Sequence, residues 1–80
     1  MKIPRDWGGD DLIKLLRRFG YEPTRQSGSH VRLTTRRGGE HHLTIPRHKP
    51  LKIGTLRNIL AEVAVHLNLT IDELLEPKDR

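Results

Sequence analysis

Two short segments bring imidazole, hydroxyl and cationic side chains close together. One is Gly28-Ser29-His30-Val31-Arg32 and the other is Pro46-Arg47-His48-Lys49. Imidazole changes charge near neutrality, so it can serve as a base or as an acid. Cutting RNA without a metal requires such groups. A base takes the proton from the ribose 2′-hydroxyl, an acid protonates the leaving 5′-oxygen, and cations stabilise the charge growing on the phosphate. His30 is the candidate acid–base residue. Ser29, Arg32, Arg47, His48 and Lys49 are the candidate contacts to RNA.

Each residue also has a plainer reading. A lone surface histidine is usually just solvated. Ser29 beside a glycine commonly turns or caps the chain. Pro46 ends a strand ladder, so Pro46-Arg47-His48 also reads as a simple strand exit. Arg36 and Arg37 suit a charged hairpin tip. Trp7 either packs against the core or stacks a base. His41 and His42 are adjacent in a strand, so their side chains diverge. With no cysteine and no clustered acidic ligands beside them, no metal or other cofactor is expected.

The elements that must position these residues follow from hydrophobic period. Leu12, Leu15, Leu16 and Phe19 fall on one face of a helix predicted over Asp10 to Phe19. Asp10 and Asp11 at its start and Arg17 and Arg18 at its end complement the helix dipole, and Gly20 supplies a left-handed stop. Tyr21 to Gln26 reads as a short strand, with a break at Ser27-Gly28-Ser29.

Two alternating strands follow. Val31 and Leu33 point one way, while His30, Arg32, Thr34 and Arg36 point the other. Beyond Gly38-Gly39, Leu43 and Ile45 are apolar while His42 and Thr44 are polar. Residues of one face must lie opposite one another. That joins Leu33 with Leu43 and Val31 with Ile45 across a three-residue loop, Arg37-Gly38-Gly39. The same register sets Arg36 opposite Glu40 as a charge pair, Thr34 opposite His42, Arg32 opposite Thr44 and His30 opposite Pro46.

Leu56, Ile59, Leu60, Val63, Ala64 and Leu67 then mark a second amphipathic helix, ended near Asn68. Thr70-Ile71-Asp72-Glu73 is a capping box for a short last helix that Pro77 stops. The expected fold is α+β: a three-stranded antiparallel meander with two helices packed on one face, in the order α-β-β-β-α, plus a short C-terminal helix. His30 and its cationic neighbours then occupy the open face.

Composition agrees with a polyanionic partner. The 80 residues carry 15 Lys plus Arg against 10 Asp plus Glu, a net charge of +5. A chain of this length buries only about 60–65% of its unfolded surface. It is expected to form a single domain over residues 1–80, with an open site and a large substrate. Met1 to Trp7 has no apolar signal core and no apolar run spans a membrane, so the expected location is the cytoplasm.

Gly28-Ser29-His30 before a strand, then Ile45-Pro46-Arg47-His48, then Leu51 through Gly54-Thr55-Leu56-Arg57-Asn58-Ile59-Leu60 resemble the HicA toxin family. The opening helix ending at Phe19-Gly20-Tyr21 also fits, and the likeness covers about residues 8–75. The resemblance implies a fold similar to double-stranded RNA-binding domains. It implies a toxin of a toxin–antitoxin system: an endoribonuclease that cuts messenger RNA without a metal and is held inactive by a HicB antitoxin. The family's essential histidine matches His30. The resemblance leaves Arg47, His48 and Lys49 as phosphate contacts or as part of the antitoxin interface.

Ordinary double-stranded RNA-binding domains open their last helix with clustered lysines. Here it opens with Gly54-Thr55-Leu56-Arg57, with only Lys52 and Arg57 near, which argues against passive duplex binding. Two other readings remain open: a non-catalytic module that binds structured RNA, and an interaction subunit that docks an acidic partner.

Overall fold

The computed structural model describes residues 3–77. Helix α1 (Gly9–Arg17) is followed by strands β1 (Glu22–Ser27), β2 (His30–Thr35) and β3 (His41–Pro46), helix α2 (Ile53–Leu67) and the short α3 (Ile71–Leu75). The strands form one antiparallel sheet in the order β1-β2-β3. The fold class is α+β, in the expected element order.

The β2–β3 ladder joins His30 with Pro46, Val31 with Ile45, Arg32 with Thr44, Leu33 with Leu43 and Thr34 with His42. The alternation fits this register, because a slip by one residue would turn Leu33 and Leu43 to opposite faces. Val31, Leu33, Leu43 and Ile45 are buried, and Arg32, His42 and Thr44 are exposed. Leu12, Leu15 and Leu16 of α1 and Leu56, Leu60, Val63 and Ala64 of α2 complete one apolar cluster with the inward face of the sheet. The outward face stays in water.

Three details differ from expectation. First, α1 stops at Arg17 rather than Phe19, and Gly20 at φ +96° then lets the Tyr21 amide reach back to Leu16. Second, the β2–β3 ladder ends at Thr35 and His41, leaving Arg36–Glu40 as the connection, with Gly38 and Gly39 at positive φ. Third, Glu40 does not face Arg36 across that turn. Its carboxylate lies 2.8 Å from Nε2 of His42, a nearer partner on the same face. His66 of α2 steadies the connection by donating from Nε2 to the carbonyls of Arg37 and Gly39 at 2.9 and 3.0 Å.

The helix ends close as the sequence predicts. Asn68 takes the left-handed conformation at φ 58° and ends α2. The Thr70 hydroxyl accepts from the Glu73 amide at 3.0 Å while the Glu73 carboxylate accepts from the Thr70 amide at 2.8 Å. Edge strand β1 is exposed along its length; Pro23, Arg25 and a register shift between Pro23 and Arg25 make it a poor template for further pairing.

Candidate functional site

His30 is placed by a tight turn. Ser27 pairs with His30, so Gly28-Ser29 forms a two-residue hairpin loop. Gly28 sits at φ +57°, which the turn requires and a side chain resists. The His30 ring is exposed at the first residue of β2.

Opposite it, β3 ends at Pro46, which has no amide to extend the ladder. The Arg47 amide instead donates to the Ser29 carbonyl at 2.7 Å. The segment 47–51 is then held down at two further points. The Gly9 amide donates to the His48 carbonyl at 2.9 Å, and the Leu51 amide donates to the Trp7 carbonyl at 2.7 Å. Leu51 is buried and anchors the segment in the core. The Lys49–Pro50 peptide is cis. Trp7 is half-buried and packs against the core.

This seating leaves no room for side chains at the start of α1. A Cβ on Gly9 would overlap the Pro46 carbonyl oxygen and lie 2.8 Å from Cα of Arg47. A Cβ on Gly8 would lie 2.9 Å from Cβ of Lys49 and 3.0 Å from the His48 carbonyl.

The result is a cavity of about 450 Å³ lined by His30, Pro46, His48, Pro50, Leu51, Lys52 and Thr55. The His30 and His48 rings, both in its lining, lie edge to face with centroids 6.4 Å apart and planes at 85°. The other three histidines have occupied ring nitrogens. His41 meets the Tyr21 hydroxyl at 2.7 Å and Glu62 at 3.0 Å, and its ring stacks on that of His66. His42 meets Thr34 and Glu40, each at 2.8 Å. Burial, first, and the charge of Glu62 push the Tyr21 hydroxyl up to about 12.

The cationic candidates divide into two groups. Arg32 projects from the open sheet face and lines a groove of about 320 Å³ with Thr24, Arg25, Thr34 and His42. Arg47 and Lys49 turn instead toward α1. The Arg47 guanidinium donates from Nε and Nη2 to the two carboxylate oxygens of Asp10 at 2.8 and 3.1 Å. This hydrogen bond holds the Asp10 carboxyl below its ordinary range and raises Arg47. Lys49 lies 3.8 Å from Asp11, whose carboxylate also caps the Gly8 amide at 2.8 Å.

Of the residues singled out by sequence, His30, His48 and the Ser29 backbone come together, Arg32 lies along the sheet, and Arg47 and Lys49 are held by acids. Lys52 and Thr55 also line the cavity. Their only sequence signal is their position at the opening of α2, beside the Gly54-Thr55-Leu56 segment. Asp10 and Asp11 read as dipole-complementing residues, and their distance in sequence from Arg47 hid their second role.

Among the described residues, no group of three or more His, Cys, Asp or Glu is placed to hold a metal ion, and no helix is long and apolar enough to cross a membrane. No curated protein and no solved structure matches the chain significantly. The family model described as the HicA toxin of bacterial toxin–antitoxin systems matches residues 9–65, from the first residue of α1 to near the end of α2 and across the whole cavity. The chain therefore belongs to the HicA toxin family.

Proposed function

We propose that this toxin is an endoribonuclease that cuts messenger RNA in the cytoplasm without a metal, with His30 as a general acid or base. The observation that carries the reading is the exposed His30 ring at the mouth of a cavity that also holds a second imidazole and the Lys52 cation.

The site is shallow and open, which suits a polymer that brings its own length of contact. Ser29, Arg32, Arg47, His48 and Lys49 form the polar and cationic border along which RNA phosphates run. Arg32 and Lys52 have no carboxylate partner among the described residues and act as the cations of the border, whereas the charges of Arg47 and Lys49 are met by Asp10 and Asp11. The same basic border suits a HicB-type antitoxin, which would silence the toxin by covering His30.

The test is a cleavage time course on messenger RNA with the purified toxin in the presence of a chelator. Wild-type protein is expected to cut and His30→Ala to be inactive, with its circular dichroism spectrum and antitoxin binding unchanged. Cleavage by His30→Ala at the wild-type rate would overturn the assignment.

A further inference from the structure

We infer that His48 is the second acid–base residue of this cleavage, acting on the same phosphate as His30 from the lining of the same cavity. The inference rests on the ribonuclease reading above and assigns the half of the proton transfer that His30 alone leaves open.

The geometry carries it. General acid–base groups act within about 2.6–3.2 Å of the atom they serve. Two rings that line one cavity with centroids 6.4 Å apart are close enough for a nitrogen of each to reach a different oxygen of one phosphate seated in that cavity. Three of the five histidines already have ring nitrogens bonded to protein groups. His30 and His48 make no side-chain hydrogen bond among the described residues, and they are the two that line one cavity.

The placement of His48 is also specific. Its carbonyl is tied to the Gly9 amide, and the residues on either side are tied to Asp10 and Asp11. His48, between two cations drawn toward α1, is the residue of that segment directed at His30.

The step balances without a co-reactant. One imidazole takes the 2′-hydroxyl proton as O2′ forms its bond to phosphorus. The P–O5′ bond breaks, and the other ring, protonated at the start, gives its proton to O5′. The products are a 2′,3′-cyclic phosphate and a free 5′-hydroxyl. The two rings end with their protonation states exchanged.

The test compares wild type, His30→Ala, His48→Ala and His48→Asn on a short RNA across pH, with chelator. A second substrate carries sulfur at the bridging 5′ position, whose thiolate leaves without protonation. Wild type is expected to give a bell-shaped profile of kcat/KM. His48→Ala is expected to lose about 10²- to 10⁴-fold in kcat and one limb of the bell, with binding of a 2′-deoxy analogue weakened far less than kcat. Asn keeps a hydrogen-bonding group but moves no proton, so His48→Asn stays as slow as His48→Ala. The sulfur substrate restores the rate of one single variant, the one lacking the acid, and not of the other.

If wild type cuts and His30→Ala does not, but His48→Ala keeps both limbs and stays within about tenfold of wild type, the role of His48 is overturned and the ribonuclease reading stands. Recovery of activity in His48→Asn, or sulfur rescue of neither variant, likewise removes His48 from proton transfer. Absence of cleavage by wild type overturns the ribonuclease reading itself.

Discussion

The guanidinium of Arg47 grips both carboxylate oxygens of Asp10, at 2.8 and 3.1 Å, and thereby joins the exit of β3 to the first turn of α1. Asp10 complements the dipole of its own helix and also neutralises a cation next to the site. The pair is exposed, so its effect is on placement more than on stability.

Asp10→Asn and Arg47→Ala are therefore expected to lower the melting temperature only slightly. The sign with pH follows from the lowered Asp10 carboxyl. Its contribution is present above the ordinary carboxylate range and is lost as pH falls through the depressed folded value. The melting difference between wild type and Asp10→Asn should thus be seen at neutral pH, vanish in acid and shrink in high salt. Thermal melts over a grid of pH and salt measure this.

Gly9→Ala reverses the usual preference. Alanine favours a helix over glycine by roughly 1 kcal/mol. Here the added Cβ meets the backbone of Pro46 and Arg47, which cannot yield like a flexible side chain. Overpacking of this kind typically costs about 1–3 kcal/mol. The variant is expected to be destabilised in urea unfolding, and to lose RNA cleavage through displacement of His48.

Tyr21 gives an alkaline signature. Its hydroxyl is raised to about 12, first by burial, against about 10 in an unfolded chain. A raised acid contributes stability below the unfolded value and loses it as pH climbs through the folded one. Stability should thus fall between about pH 10 and 12 in wild type, and this component of the fall should be absent in Tyr21→Phe. Phenolate absorbance follows it cleanly, because the chain has one tyrosine.

Arg32 projects from the open sheet face beside Arg25. Arg32→Ala is expected to weaken binding of a non-cleavable RNA similarly for all sequences. The slope of log affinity against log salt should become shallower by about one. An unchanged slope would take Arg32 off the RNA path.

Much of this arrangement was legible in the sequence, for physical reasons. Strand alternation fixes the parity of the register once Leu33 and Leu43 must share a face, the short loop at Gly38-Gly39 selects among the rest, and the result sets His30 against Pro46. The period from Leu56 to Leu67 is a local property of α2, as the Thr70–Glu73 box is of α3. The segment 47–51 was not legible. It lies beyond the last ladder pair, where no period constrains a side chain, and its position is set by Trp7, Gly9 and Asp10 some forty residues earlier. The His30–His48 separation depends on those long-range ties. The turn after β2 misled for the opposite reason: the register projected Arg36 onto Glu40, but His42 on the same strand face was the nearer partner.

The ties that seat residues 47–51 also set a timing. The cavity takes one wall from His30 and another from Thr55, and its segment rests on Trp7 and Gly9. A chain still emerging from the ribosome without α2 has no finished cavity, whatever has already folded upstream. Any chemistry that needs both walls therefore waits until the start of α2 has joined the sheet.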